Sequence, residues 1–320
     1  AAYMGFGIWA LVIQQLINQI SITIIMLFTV KWRPRLTFSF QRVKKLFSFG
    51  WKLLVSSLLN TLYVDIRTLI IGRFYTPSVL GYYNRGQQFP RVIVSNINGS
   101  IQSVMLPTLS AHQDDTKRVK EMMRRAIKTG SFMIFPMMIG MAVVAEPLVK
   151  IVLTDKWLPA VPFLQIFCVS YALMPIQTAN LQAINALGRS DIFLRLEVIK
   201  KIIGLIILGI SLQFGVYAIA LGQVISGIIS TFINTYPNKE LLYYSYKEQW
   251  IDIKPSLLLS IVMGSIVYSF NFLYFAAWKI LFLQVAVGAI IYIGLSKILR
   301  VENFNYLINT IKEFVNLRKN

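Results

Sequence analysis

The sequence predicts an all-α polytopic membrane protein with nine transmembrane helices. Three observations carry this prediction. Hydrophobic residues make up 56% of the 320 and charged residues only 14%, against about 25% charged in a typical soluble domain. Mean hydropathy is +0.62. Apolar stretches near the roughly 20-residue length that crosses a bilayer recur along the chain. A soluble enzyme, a disordered chain and a coiled coil are excluded on the same grounds.

In chain order, the predicted spans are 8–30, 50–75, 82–108, 130–150, 162–187, 197–213, 216–236, 257–275 and 280–299. All are expected to be helices, because an isolated strand leaves its backbone unsatisfied in lipid. The connections 31–47, 111–129, 188–201 and 237–256 and the tail 297–320 hold 24 of the 32 basic residues. They alternate correctly with nine spans, so the positive-inside rule places them and the C-terminus in the cytoplasm. The net charge of +19 is thereby explained without nucleic acid, which is not expected as a partner. Cys168 is the single cysteine and His112 the single histidine. An internal disulfide and a cysteine- or histidine-rich metal site are therefore excluded, and no cofactor is expected. No cleavable signal peptide is visible. The opening AAYMGFG lacks an initiator Met and reads as the end of a hydrophobic segment, so a truncated chain is expected.

Residues 6–23 resemble 214–231, with seven of 18 aligned positions identical at an offset of 208. The pairs include Phe6/Phe214, Gly7/Gly215 and Gln15/Gln223. The repeat divides the chain into the last helix of a first lobe (1–30), a basic linker (31–47) and a six-helix second lobe (48–236). A terminal helix pair with its connector (237–299) and an amphipathic tail (300–320) follow. By the same arithmetic about 160 residues would precede residue 1, giving a parent of about 480 residues and 14 spans; repeated lobes around a central site are a transporter signature.

The second span carries Lys52, Ser56, Asn60, Tyr63 and Arg67 on one face, with Asp65 beside it. The third carries Arg85, Gln88, Arg91, Ser95, Asn98 and Gln102 at spacings of three and four, again one helix face. A charge at bilayer depth costs roughly 2.5–3.5 kcal/mol even on the lenient insertion scale. Arg67, Arg85 and Arg91 therefore face a hydrated cavity or partners, and net positive charge there suits an anionic, phosphate-bearing substrate. Asp65 is either a proton or cation coupling site or a neutralising partner for Arg67. In the fifth span Gln177, Asn180, Gln182 and Asn185 either line the cavity or bond between helices. Gly222, Ser226 and Ser230 form a small-residue face, and Pro90, Pro107, Pro136 and Pro175 are candidate kinks. The tail 301–320 has the pattern of an amphipathic helix on the membrane surface. The linker 31–47 mixes six basic residues with aromatics, as expected for contact with anionic membrane lipids.

The segments LIIGRFYTPSVLGYYNRGQQFP (69–90), SIQSVMLPTLSAHQDD (100–115), TDKWLPAVPFLQIF (154–167) and AINALGRSD (183–191) resemble the oligosaccharide flippases of bacterial polysaccharide synthesis. The likeness is to the colanic-acid-exporter type of Wzx protein, in the multidrug/oligosaccharidyl-lipid/polysaccharide exporter superfamily. It implies a two-lobe, 14-helix fold of which this chain is a remnant. It also implies alternating-access transport of undecaprenyl-diphosphate-linked oligosaccharide across the bacterial inner membrane, with no catalytic residues. Polysaccharide polymerase or export machinery are further partners by the same resemblance. The expected cavity residues are Asn60, Arg67, Arg85, Gln88, Arg91, Asn98 and Gln102. Two other readings compete. Efflux of small amphipathic cations is disfavoured by a basic cavity. A membrane polymerase or ligase needs a larger outer loop than 151–161.

Overall fold

A computed structural model describes residues 6–7, 9–29, 63–273 and 275–304, with isolated positions 39, 40, 44, 58, 61 and 306. Most of the linker 31–47, the tail beyond 306, and Lys52, Ser56 and Asn60 lie outside the described residues. The chain forms two compact units, residues 1–61 and 62–320.

In the first unit, α1 (Trp9–Thr29) contains no charged residue. The hydroxyls of Thr23 and Thr29 donate to the carbonyls of Gln19 (2.8 Å) and Ile25 (2.7 Å), one turn back, which satisfies them without water. Gly7 precedes this helix at φ +50°. Its counterpart in the repeat, Gly215, precedes another helix at φ +94°. Both are positive-φ conformations open to glycine without strain, and each glycine follows the phenylalanine of the repeated Phe-Gly pair.

The second unit is built of helices joined by short connections. Its elements are α2 (63–74), α3 (Pro77–Ser110), α4 (Thr116–Val143), α5 (Ala145–Leu153), a 3₁₀ turn (Asp155–Ala160), α6 (Val161–Ala172), α7 (Met174–Ala186), α8 (Ser190–Ser211), α9 (Val216–Leu241), α10 (Tyr246–Ser269) and α11 (Ala277–Ile298). The starts of several are encoded locally. The Thr76 hydroxyl accepts from the Val79 amide ahead of Pro77. The Asp115 carboxylate accepts from the Arg118 amide (3.0 Å). Ser245 and Glu248 form a reciprocal capping box on α10, which satisfies two amides that a helix start leaves free.

Among the described residues, six helical segments are long and apolar enough to cross a membrane: α1, α4, the run Asp155–Ala186 that includes α6 and α7, α9, α10 and α11. Helices α3 and α8 are long enough but too polar. The count of nine spans is therefore not reproduced by composition within helices, and several boundaries move. The predicted connection 111–129 is largely helix, because α4 starts at Thr116 under its Asp115 cap; the basic residues that lower local hydropathy sit on its first turns. The predicted span 130–150 is divided at Val144 into α4 and α5, and 162–187 is divided at Leu173, just before Pro175. Helices α3 and α4 run through Pro90, Pro107 and Pro136.

Helix α4 packs against α10, α6, α7 and α3. One cluster, with Ile71, Tyr83, Phe163, Phe167, Leu208 and Ile219, joins α2, α3, α6, α8 and α9. Another, with Val94, Ile134, Met138 and Leu164, joins α3, α4 and α6. Large apolar side chains such as Ile206, Ile210, Phe282 and Ile290 remain exposed around the outside, as expected where the surrounding solvent is lipid. This is a multi-pass membrane protein.

Candidate functional site

A polar cavity of about 730 Å³ lies within the second unit, walled by α2, α3, α6, α7 and α9. Close helix approach builds its walls. A Cβ added at Gly86 of α3 would stand 2.6 Å from the Phe163 Cβ and 2.8 Å from the Leu164 amide nitrogen, so only glycine lets α3 lie this near α6. Tyr83, three residues earlier, is buried edge-on against Phe163 and Phe167. Its hydroxyl donates to Gln223 Oε1 of α9 (3.3 Å). Gln177 of α7 reaches α9 as well, its Nε2 donating to the Gly227 carbonyl (3.0 Å) and the Thr231 hydroxyl (3.1 Å).

The charged lining consists of Arg67 and Asp65 from α2 and Arg91 from α3. No ion pair among the described residues involves any of the three. Two guanidiniums and one carboxylate therefore line the same cavity. Each keeps donors in the planar fork that matches a phosphate or carboxylate. Polar neighbours Asn84, Gln87, Gln88, Ser95, Gln223, Ser226 and Ser230 complete the wall.

The sequence-predicted residues do not all converge here. Arg67, Gln88, Arg91 and Asp65 line the cavity. Arg85 does not; its Nη1 donates to Gln88 Oε1 (2.7 Å) and its guanidinium lies 5.7 Å from the centre of the Trp157 ring. Asn98 belongs to the buried stripe of α3, at 3% exposure, with neither amide atom hydrogen-bonded. An orphan amide one turn beyond a polar cavity is a natural place for a bound water. Gln102 is exposed and outside the cavity wall, and Asn60 lies outside the described residues. In α7 the amides divide. Gln177 lines the cavity, whereas Asn180 is fully buried and exchanges hydrogen bonds with Gln249 and Asn238 of the neighbouring helices.

Asn84 and Gln87 were missed, although they stand seven and four residues before Arg91 and share its helix flank. The predicted span 197–213 starts late, because its helix begins at Ser190; Glu197 of α8 pairs with Lys200 (2.5 Å) and is not among the residues lining the cavity.

A second charged constellation sits at one end of the bundle. Arg124 of α4 grips Asp252 of α10 with two bonds (2.6 and 2.7 Å). Lys128 stands 3.7 Å from the same carboxylate and 2.7 Å from Glu302. The Tyr244 hydroxyl donates to Asp252 (2.7 Å), and Lys120 pairs with Glu248 (2.9 Å). These contacts gather three basic segments, 111–129, 237–256 and the start of the tail, at one end. The Lys128 ammonium beside Glu302 holds that carboxyl below the usual carboxylate range. The described residues contain no cluster of three or more histidine, cysteine or acidic side chains able to hold a metal ion.

Comparison with known proteins agrees with this architecture. TuaB, a teichuronic acid biosynthesis protein of Bacillus subtilis, is 31% identical over 194 residues, covering 60% of this chain and 40% of TuaB. WzxC, a lipopolysaccharide biosynthesis protein of Escherichia coli, is 27% identical over 242 residues, covering 73% of this chain and 49% of WzxC. The lipid II flippase MurJ in its inward closed conformation superimposes with a TM-score of 0.67 at 20% identity, covering 88% of this chain and 58% of MurJ; that likeness is one of fold. The chain spans about half the length of the curated relatives it matches. The polysaccharide biosynthesis protein family matches residues 1–162, half of the 320, and the chain belongs to that family.

Proposed function

We propose that residues 48–236 form one lobe of a two-lobe flippase. It carries undecaprenyl-diphosphate-linked oligosaccharide across the bacterial inner membrane by alternating access, for surface polysaccharide assembly. The observation that carries this reading is the pair Arg67 and Arg91, which face a 730 Å³ polar cavity and form no ion pair among the described residues. A glycan diphosphate cannot cross hydrocarbon unaided, and two unpaired guanidiniums in a wet cavity give its phosphates a path. The reading is one of transport rather than catalysis, and the fold shared with a lipid II flippase supports it. The basic end of the bundle is assigned to the cytoplasm by the positive-inside rule, and the C-terminus with it. Asp65 on the cavity wall is assigned to coupling or to local charge balance, and polymerase or export machinery is the expected downstream partner.

The test uses the complete gene product in its host. Arg67→Ala with Arg91→Ala removes both cavity cations, and each charge-assisted hydrogen bond lost is worth about 1.5–3 kcal/mol. Surface polysaccharide should disappear while membrane protein levels, read by immunoblot, stay normal. Undiminished polysaccharide from that double variant would refute the reading.

A further inference from the structure

A second crevice has the opposite chemistry. Leu173 at the start of α7, Ile176 of α7, Ile228 and Phe232 of α9, and Trp250 and Ile253 of α10 line a groove of about 610 Å³, a volume within the roughly 300–1,000 Å³ range of small-molecule sites. Phe232 and Trp250 are each more than half exposed, so the groove opens on the outside of the bundle. Its polar groups are turned away from it. The Thr231 hydroxyl donates to the Gly227 carbonyl (2.9 Å) and accepts from Gln177. The Thr235 hydroxyl donates to the Thr231 carbonyl (2.8 Å), and the Tyr246 hydroxyl to the Phe232 carbonyl (2.8 Å). Gln249 is tied to buried Asn180. What the groove presents is hydrocarbon.

One charged side chain lines the groove. Lys247 is exposed and forms no ion pair among the described residues. Its neighbour Glu248 is already paired with Lys120, which also donates to the Tyr243 carbonyl (2.5 Å). Lys247 therefore stands at the basic end of the bundle. The Phe232 and Tyr246 rings, 5.6 Å apart, and the Trp250 indole flank the groove near that end, as interfacial aromatics do at headgroup depth. An apolar slot with a lone ammonium on its rim complements an anionic lipid: hydrocarbon along α7 and α9, phosphate at the ammonium.

We propose that this groove is a binding site for a resident anionic phospholipid, with an acyl chain between α7, α9 and α10 and the phosphate at Lys247. The α7–α9 contact made by Gln177 stands between the groove and the arginine cavity, and no residue lines both. The proposal is thus independent of the flippase reading.

Native mass spectrometry of the complete protein tests it, with phosphatidylglycerol, phosphatidylcholine and a polyprenyl phosphate offered separately and in competition. Phosphatidylglycerol should be retained about fivefold over phosphatidylcholine, the worth of one lysine beside an anionic headgroup. Lys247→Gln should abolish that preference. Ile228→Trp, on the outward side of α9, should lower retention of both phospholipids by filling the slot. Lys247→Gln lies at an exposed rim, so its result stands even where the larger tryptophan impairs folding. Equal retention of the two phospholipids by the unaltered protein, an unchanged preference in Lys247→Gln, or displacement of phosphatidylglycerol by the polyprenyl phosphate would each overturn the proposal.

Discussion

Cationic side chains in two regions of the helical bundle meet opposite circumstances. In the cavity, Arg67 and Arg91 have no ion-pair partner among the described residues. At the basic end, Arg124 and Lys128 converge on Asp252, which is buried and also accepts the Tyr244 hydroxyl. A carboxylate that must be desolvated needs every one of those bonds, and its partners have little capacity left for a ligand. An arginine beside water retains its capacity. The basic end braces α4 against α10; the cavity leaves its two guanidiniums without an ion-pair partner among the described residues. Pairing, more than residue type, separates brace from site.

The comparison can be broken most forcefully at Asp252. Asp252→Ala should leave Arg124 and Lys128 without their shared anion and cost on the order of 2–4 kcal/mol, below the full buried-pair figure because Arg124 is partly exposed. A drop in the thermal unfolding midpoint in detergent reads it, and an unchanged midpoint would show that the cluster is no brace. Next comes Gly86→Val. Its side chain would be driven into Phe163 and Leu164, an overpacking cost of about 1–3 kcal/mol, with loss of transport as α3 is pushed from α6. The third prediction sharpens the contrast. Arg91→Gln should weaken binding of a diphosphate probe by about tenfold, one charge-assisted bond, yet leave the unfolding midpoint within a degree or two. A stability loss like that of Asp252→Ala would mean Arg91 is a brace too.

The smallest effect concerns pH. The Glu302 carboxyl is held below its ordinary value in the folded protein, chiefly by its hydrogen bond to Lys128. Its contribution is therefore present above the unfolded pKa, near 4.3, and is lost as pH falls through the lowered folded value. Because Glu302 is largely exposed, the contribution should be at most about 1 kcal/mol. Glu302→Gln should slightly flatten the acid limb of a stability profile below about pH 4.5 and leave neutral pH nearly unaffected.

Much of the fold was legible because its signals are local. The polar flank of α3 follows from the spacing of Arg85, Gln88, Arg91 and Ser95. The positive-φ Gly7 and Gly215 were visible as one repeated pair. Boundaries were less legible. The basic residues of 111–129 pulled hydropathy down across what is helix, and the span predicted from 197 starts seven residues inside α8. The site was legible only in outline. Arg85 and Arg91 are equivalent in the sequence pattern, but Trp157, from a turn more than 70 residues away, lies beside one and not the other. Asn98 stands only about 60° around the helix from Ser95, and that offset puts it in the core instead of the cavity.

Composition and periodicity by themselves determined that this chain is a bundle of membrane helices with a polar seam and a surplus of positive charge. Those properties are set by neighbours three or four residues apart and by the solvent the chain must satisfy. Only the tertiary structure decided which charges are consumed and which remain available. Arg124 meets Asp252 across 128 positions of sequence, and among the described residues no acid comes within ion-pair distance of Arg67. Electrostatic pairing depends on distances of a few ångströms between segments remote in the chain, and these are fixed only when the helices pack.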